Sequence, residues 1–260
     1  MNLTRNQFDI LSFLTQHKEG FTQRELALHV KRSLGTVNKI VGELHESGLL
    51  SENQITEKGL LSLEPFRVKR AVFIAAGFGS RLVPITLNTP KPLVRVNGIR
   101  IIDTLIDAVV AAGIKEIIIV RGYLAEQFDQ LLKKYPTITF LENDKYNEAN
   151  NISSTLVAKD YLAASYILEA DLVLSNASLI TPYQYSSNYL GVPVQKTNDW
   201  CFTTKNGYIT KFAQGGYDCH HMFGISYWTE EDGIRLGKDV ERACQLPGGL
   251  ERYWDQVPLE

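Results

Sequence analysis

A loop with two glycines and two basic residues constrains this chain more than any other feature. It follows residues 71–75, an apolar run that is typical of a buried parallel strand. Gly77 and Gly79 let the backbone approach a bulky anion, so that its N–H groups can point inward. Arg81 adds a planar donor fork for phosphate oxygens, and Lys91 adds a point charge. The loop therefore predicts a phosphate-binding site at the end of a strand.

The same loop resembles the signature of the sugar-nucleotide and related nucleotidyltransferases, Gly-x-Gly-x-Arg followed by Pro-Lys-Pro. Residues 77–81 and 90–92 match it in order, with Pro84 and Thr86 between them. The glycines alone would also suit a βα turn with solvated charges. They lack the third glycine of a dinucleotide fold and the lysine placement of a P-loop. The resemblance implies that Lys91 and Arg81 are catalytic and that the nucleotide binds at Ala75, Ala76, Gly77 and Gly79.

From residue 71 onward, strand patterns and helix patterns alternate. Apolar strand-like runs cover residues 71–75, 116–120, 137–141 and 166–170, and helical patterns cover 103–112, 125–134 and 152–162. Asn97-Gly98 adds a hairpin signal. Repeated βα units predict an α/β fold, with a Rossmann-like, mixed but mostly parallel sheet flanked by helices. The resemblance makes it the nucleotide-diphospho-sugar transferase type, in which ligands sit beyond the carboxyl ends of the strands.

Asp171 follows the last of these strand patterns, so it is expected to face the ligand crevice. The resemblance implies that Asp171 is catalytic and binds Mg²⁺, the expected cofactor, between the nucleotide phosphates. Mg²⁺ needs only one or two carboxylates in addition to phosphates. The alternative is an Asp that merely caps a helix.

Two further segments narrow the resemblance to the bacterial CTP:phosphocholine cytidylyltransferases. Residues 143–146 and 150–154 are similar to the region that closes over the nucleotide in that group, and residues 122–124 match after the third strand. The likeness covers nearly all of residues 71–260. It implies nucleotide contacts from Gly122, Tyr123, Asn151 and Ser153.

An aromatic set in the last third of the chain favours a choline-like acceptor. A quaternary ammonium donates no hydrogen bonds and is held by aromatic faces with an acid nearby. All three tryptophans of the chain lie in this region. The predicted choline-binding residues are Trp200, Trp228, Tyr253 and Asp199. The alternative is that these aromatic side chains are simply core.

The chain departs from the family pattern near its last residues. The resemblance implies a second metal-binding acid in a Glu-Ile-Asp-like strand, and no such strand follows residues 253–255. Either the metal site lacks a ligand or the sequence is a fragment, which is the interpretation we favour. A further C-terminal domain, similar to choline kinases, would then be an additional expectation.

The first part of the chain has a different pattern. Thr22 with Glu25 forms a capping box, Ser33 caps a third helix, and a short hairpin follows Gly48. Residues 20–50 resemble a winged helix-turn-helix, so we predict such a domain at 1–66 and a nucleotidyltransferase domain at 70–260. The candidate DNA contacts are Lys31, Arg32, Ser33, Thr36, Asn38 and Lys39. A dimerisation or protein-binding module is the alternative.

Bulk composition agrees with a cytoplasmic enzyme. The chain has 260 residues, a net charge of −2 and 44% hydrophobic residues, with no membrane-length apolar stretch. Its three cysteines indicate neither a disulfide framework nor a zinc site. The leading prediction is a reaction of CTP with phosphocholine that gives CDP-choline and pyrophosphate. The alternatives are a sugar-1-phosphate nucleotidyltransferase and a DNA-binding regulator whose transferase domain senses nucleotide or choline metabolites.

Overall fold

The computed structural model describes residues 3–17, 22–52 and 54–259. The chain forms two compact units. The first consists of residues up to Arg67 together with Tyr183–Tyr185, and the second of Val68–Pro182 and the chain from Ser186. The sequence predicted a domain boundary between residues 66 and 70. It did not predict that residues 183–185 belong to the first unit.

The first unit has the order of a winged helix. Its elements are α1 (Arg5–Gln16), α2 (Gln23–His29), α3 (Leu34–Glu46), the antiparallel pair β1 (Leu50–Ser51) and β2 (Gln54–Ile55), and α4 (Glu57–Leu63). Thr22 and Glu25 form the predicted capping box of α2, and the Ser33 hydroxyl caps α3. Residues 18–21 and 53, on which part of the sequence argument rests, lie outside the described residues.

Aromatic side chains of residues 183–185 complete the core of this unit. The Tyr185 ring lies 5.3 Å from the ring of Phe8 and 5.3 Å from that of Phe66. The Tyr183 hydroxyl accepts a hydrogen bond from Arg67 at 2.6 Å, and the backbone N–H of Gln184 donates to the Phe66 carbonyl at 2.9 Å. The segment is therefore integrated by both packing and main-chain bonding.

A mixed six-stranded sheet forms the centre of the second unit. Its order is β7-β6-β3-β8-β10-β9, from β7 (Ile138–Glu142), β6 (Glu116–Arg121), β3 (Arg70–Ile74), β8 (Ser165–Glu169), β10 (Tyr208–Trp228) and β9 (Asn188–Lys205). The first four strands run parallel, while β10 is antiparallel to both of its neighbours. A separate hairpin consists of β4 (Arg95–Val96) and β5 (Ile99–Arg100). The predicted fold class is confirmed.

Helices cover the sheet, and apolar clusters lie on both of its faces. They are α5 (Ile101–Ala111), α6 (Ile152–Val157) and α7 (Glu230–Cys244). The segment Ala125–Lys133, predicted as part of an α-helix, is a 3₁₀-helix, and α6 ends before the predicted residue 162. In the described residues, no helix is long and apolar enough to cross a membrane.

Two long strands and one helix of the second unit were not predicted. β9 and β10 pair over most of their length, with several register shifts that bend the ribbon. Their side chains are mostly half-buried or exposed, so the clear apolar alternation of a strand is weak here. α7 begins after Thr229, whose hydroxyl accepts from the Asp232 N–H.

Candidate active site

The loop after β3 presents a run of backbone donors. The N–H groups of Gly77, Phe78, Gly79 and Ser80 donate to none of the residues that the structure describes. A Cβ added at Gly77 would have nothing within 4 Å. Successive free N–H groups in a tight turn form an anion-binding concavity. The loop is therefore preorganised for phosphate.

Gly79 connects this turn to Lys91, the lysine predicted to be catalytic. Its φ of +70° is in the left-handed region, and an added Cβ would lie 3.0 Å from the Lys91 Cβ. The buried Thr86 side chain braces the turn by donating to the Gly79 carbonyl at 3.1 Å. Only glycine satisfies both the backbone conformation and the close approach of Lys91.

Two cations and one carboxylate line the pocket beside this loop. The Lys91 ammonium forms an ion pair with the Asp171 carboxylate, which lies in the turn after β8. Arg81 is exposed and makes no ion pair with the described residues, so its guanidinium remains available to a ligand. The structure thus brings together the three residues predicted to be catalytic.

The buried side-chain amide of Asn143 supports another part of the pocket wall. Asn143 donates to the hydroxyls of Ser153 at 2.9 Å and Ser154 at 3.0 Å, and its carbonyl accepts from the Lys145 N–H. The Ser153 hydroxyl also donates to the Asn150 carbonyl at 2.8 Å. Ser153, predicted to bind the nucleotide, therefore lines the pocket with a hydroxyl already engaged by protein.

The last residue of β8 supplies a second carboxylate to the pocket. Glu169 accepts hydrogen bonds from the Asn151 side-chain amide at 3.1 Å and from the Trp254 indole N–H at 3.2 Å. The side-chain carbonyl of Asn151 accepts in turn from the Trp254 backbone N–H at 3.0 Å. Asn151 thus joins the pocket wall to a segment about a hundred residues further along the chain.

Burial governs the ionisation of this part of the pocket. Desolvation raises the pKa of Glu169 to about 8, and the nearby charges of Asp171 and Asp255 add to the shift. Burial also raises the pKa of Asp255, which accepts a hydrogen bond from the Tyr189 hydroxyl at 3.3 Å. Three carboxyl groups share this region, so it favours the arrival of positive charge. The sequence analysis did not identify Glu169, although its place at a strand end next to Asp171 is a recognisable signal.

Gly122 and Tyr123 brace the loop and do not line the pocket. A Cβ at Gly122 would lie 2.7 Å from the Tyr146 Cβ, and Tyr146 is the aromatic residue that lines the pocket. The Tyr123 ring packs edge-on against Phe78 at 4.7 Å, and its hydroxyl donates to the Leu87 carbonyl. The Tyr123 side chain therefore supports the loop, and a contact from residues 122–123 to the nucleotide stays a prediction.

The predicted choline-binding residues divide into two groups. Trp200 stacks on Phe212 at 4.6 Å and meets Tyr253 edge-on at 6.0 Å, so these three rings form one aromatic cluster. Asp199 is exposed and accepts a hydrogen bond from the Trp200 N–H.

Trp228 is not part of this cluster. It pairs with Ser165, the first residue of β8, whereas Asp171 follows the other end of that strand. Its ring packs edge-on against the buried Trp254 at 6.3 Å. Trp228 is thus half-buried against the core and separate from the Trp200 cluster.

A divalent cation fits the pocket only with help from the substrate. In the described part of the chain, no group of three or more His, Cys, Asp or Glu side chains could hold a metal ion. Mg²⁺ is normally bound by one or two carboxylates, with phosphate oxygens and waters completing its shell. Asp171 lines the same pocket as the loop and fits that role.

The DNA-contact candidates surround the start of α3. Lys31, Arg32, Ser33 and Lys39 are exposed, while Thr36 is half-buried. The hydroxyls of Ser33 and Thr36 bond each other at 2.8 Å, and Arg32 donates to the Asn6 side chain at 2.9 Å. Lys39 lies 3.9 Å from Glu43, in a loose surface pair. The lysines are thus the least constrained of the set.

Comparison with known proteins gives two family matches. The nucleotidyl transferase family model matches residues 70–188, and the MarR family model matches residues 1–65. A 2-aminoethylphosphonate cytidylyltransferase of Lancefieldella rimae is 41% identical over 72% of this chain and 78% of its own length. A choline-phosphate cytidylyltransferase of Haemophilus influenzae is 33% identical over 73% of this chain and 82% of its own.

Solved structures agree. The CTP:phosphocholine cytidylyltransferase of Streptococcus pneumoniae superposes with a TM-score of 0.68 and 33% identity, covering 74% of this chain and 84% of that one. A UDP-glucose pyrophosphorylase, 14% identical with a TM-score of 0.58, shares the fold alone. Both the pocket and these relatives lead to the same assignment. The chain belongs to the nucleotidyltransferase family, in its cytidylyltransferase group, and carries a MarR-family winged-helix domain ahead of the enzyme.

Proposed function

We propose that this enzyme transfers CMP from CTP to a phosphate or phosphonate oxygen of a small acceptor that carries a positively charged nitrogen. Phosphocholine, which the sequence analysis favours, is such an acceptor. So is 2-aminoethylphosphonate, the substrate in the name of one relative. The observation that carries the proposal is the pocket itself, where free loop N–H groups, Arg81 and Lys91 face the carboxylates Asp171 and Glu169.

The reaction needs alignment more than a strong base. A phosphomonoester has a second pKa of about 6, so its oxygen is largely ionised near neutral pH. That oxygen attacks the α-phosphorus of CTP, a new P–O bond forms, and the bond to the β-phosphate oxygen breaks to release pyrophosphate. Lys91 would stabilise the charge that builds at the α-phosphate, and Arg81 would hold the departing pyrophosphate.

Nucleotidyltransferases generally use a divalent metal ion. We propose Mg²⁺, with Asp171 as its protein ligand. When bound, the ion would neutralise phosphate charge. Removal of divalent ions with EDTA is expected to abolish turnover, and added Mg²⁺ is expected to restore it.

We assign the charged end of the acceptor to the side of the pocket that Glu169 and Asn151 line. The aromatic cluster lies beyond the pocket lining and is connected to it through Trp254. Trp200, Phe212 and Tyr253 form an aromatic cluster, and Tyr253 adjoins Trp254, which is bonded to Asn151 in the pocket wall. Aromatic faces attract cations, and buried carboxylates do so more strongly. Both features favour a positively charged acceptor over a sugar phosphate, whose hydroxyls need hydrogen-bonding side chains.

Pyrophosphate release with a panel of substrates tests the proposal. The panel consists of four NTPs, each with phosphocholine, 2-aminoethylphosphonate, phosphoethanolamine or glucose 1-phosphate, in the presence of Mg²⁺. The proposal requires CTP to be the best nucleotide and an amino-bearing acceptor to be the best partner. Highest turnover with glucose 1-phosphate would instead support the sugar-1-phosphate alternative.

We propose DNA binding as a second function, in the first unit. The match to the MarR family and the exposed Lys31 and Lys39 around α3 support it. Phosphate contacts give a steep loss of affinity with salt. A gel-shift series against salt should therefore show a steep slope that Lys39→Ala reduces, whereas Lys133→Ala, an exposed lysine of the other unit, should leave it unchanged. A shallow slope for the unmodified protein would favour a protein-binding module.

A further inference from the structure

We propose that Glu169 is the specificity-determining residue that binds the positively charged nitrogen of the acceptor, and that it selects an ammonium bearing N–H groups. This inference rests on the proposed function and names the feature of the acceptor that the pocket recognises. Glu169 sits at the end of β8, two residues before Asp171, and both side chains line the same pocket.

One oxygen of Glu169 is fixed by neutral donors. Oε1 accepts from the Asn151 amide at 3.1 Å and from the Trp254 indole at 3.2 Å. Behind the side chain, a Cβ added at Gly224 would lie 2.8 Å from the Glu169 Cγ, so little space is left for the carboxylate to withdraw. The side chain is therefore held in one orientation before any ligand arrives.

The other oxygen has no partner in the described protein. Neither Asn151 nor Trp254 bonds to Oε2, and Glu169 forms no ion pair with any described residue. The nearest lysine of the pocket, Lys91, is already paired with Asp171. Glu169 is half-buried and lines the pocket, so Oε2 is accessible to a ligand, and a cationic group there would stabilise the charged carboxylate. Oε2 can therefore form an ion pair with a cationic group of a ligand.

The Oε2 atom is expected to bind a primary ammonium more strongly than a trimethylammonium. A primary ammonium has N–H donors that can bond directly to Oε2, in a short charge-assisted hydrogen bond. A trimethylammonium has no donor, and its methyl groups keep the charge further away. Glu169 is thus expected to favour 2-aminoethyl acceptors over choline.

A pair of isosteric acceptors tests this inference. We would measure kcat and KM for 2-aminoethylphosphonate and for the neutral n-propylphosphonate, with the unmodified enzyme and with Glu169→Gln. The amide oxygen of Gln can still accept from Asn151 and Trp254, so the fold should survive. The kcat/KM for 2-aminoethylphosphonate is expected to fall about 10- to 100-fold, mainly through KM, while that for n-propylphosphonate changes little. Glu126→Gln, an exposed glutamate outside the pocket, is the matched control.

Calorimetric binding of both acceptors in the presence of a non-hydrolysable CTP analogue makes the test independent of turnover. If circular dichroism shows that Glu169→Gln does not fold, Glu169→Asp is tested instead. This variant keeps the charge but moves it back by the length of one methylene group. A raised KM for CTP with unchanged acceptor selectivity would overturn the inference, because Glu169 would then face the nucleotide. An unmodified enzyme that forms no product from CTP with any acceptor would instead contradict the proposed function, while calorimetry still decides the role of Glu169.

Discussion

The Lys91 ammonium is paired with the Asp171 carboxylate, although 80 positions separate the two residues in the chain. The first is the group expected to stabilise charge at the α-phosphate, and the second is the expected metal ligand. In these proposed roles, both side chains would exchange this contact for contacts to the nucleotide and its cation. The pair holds the two side chains together in the pocket.

Removal of either partner should abolish turnover without unfolding the protein. Both side chains are partly exposed, so the loss of the pair should cost little stability. We expect Lys91→Ala and Asp171→Ala each to lower kcat by about 10²–10³-fold or more. The first removes a donor aimed at transition-state charge, and the second removes the proposed metal ligand. Lys134→Ala removes a comparable surface pair with Asp107, outside the pocket, and is the control. Near-normal turnover in either pocket variant would contradict the assigned roles.

Gly79→Ala, compared with Gly98→Ala, should separate the effect of backbone strain from the effect of a displaced Lys91. An alanine at φ +70° costs about 1–2 kcal/mol wherever it is placed. Gly98→Ala, at φ +83° with open space around its Cβ position, carries the same backbone cost outside the pocket. Both variants should lose similar stability in thermal unfolding, but only Gly79→Ala should lose most of its kcat, because its Cβ displaces Lys91. Equal activities in the two variants would show that the Gly79–Lys91 contact is unimportant.

Asn143→Ala should weaken nucleotide binding through the pocket wall. Its buried amide bonds Ser153 and Ser154, and both hydroxyls would lose a partner. We expect a loss of about 1–3 kcal/mol in the free energy of unfolding and a raised KM for CTP. Asn176→Ala, an exposed helix cap in the same unit, should change stability by less and leave the KM for CTP unaltered. An unchanged KM in Asn143→Ala would exclude this wall from nucleotide binding.

Tyr185→Ala should destabilise the winged-helix unit in particular. The ring packs against Phe8 and Phe66, so its removal is expected to cost about 2 kcal/mol. Hydrogen exchange of amides in α1 and α3 measures that unit directly, and their protection should fall. Tyr208→Ala, which removes a ring that is 78% exposed, is the control. Protection in α1 that stays at the unmodified level would mean that residues 183–185 are not needed by the first unit.

The phosphate loop could be predicted from sequence because its determinants are local. Glycine spacing, Arg81 and Lys91 fall within fifteen residues, and strand β3 precedes them directly. The alternation of apolar runs likewise located the parallel strands, since buried strands are apolar at nearly every position.

The remaining features depend on distant partners. Trp254 reaches Glu169 across 85 positions, and no local pattern indicates that contact. Residues 183–185 join the first unit through pairing with Phe66 and Arg67, which sequence spacing cannot reveal. Trp228 lies apart from the Trp200 cluster, because proximity in sequence to other aromatics does not report the strand end at which a residue lies.

The central claim is that CMP from CTP is joined to an amino-bearing phosphate or phosphonate. Phosphorus NMR of a reaction containing the enzyme, CTP, Mg²⁺ and 2-aminoethylphosphonate or phosphocholine measures this directly. We expect equal amounts of pyrophosphate and of a new product with two linked phosphorus signals, which should be absent in Lys91→Ala. Release of inorganic phosphate or pyrophosphate without the linked product would contradict it.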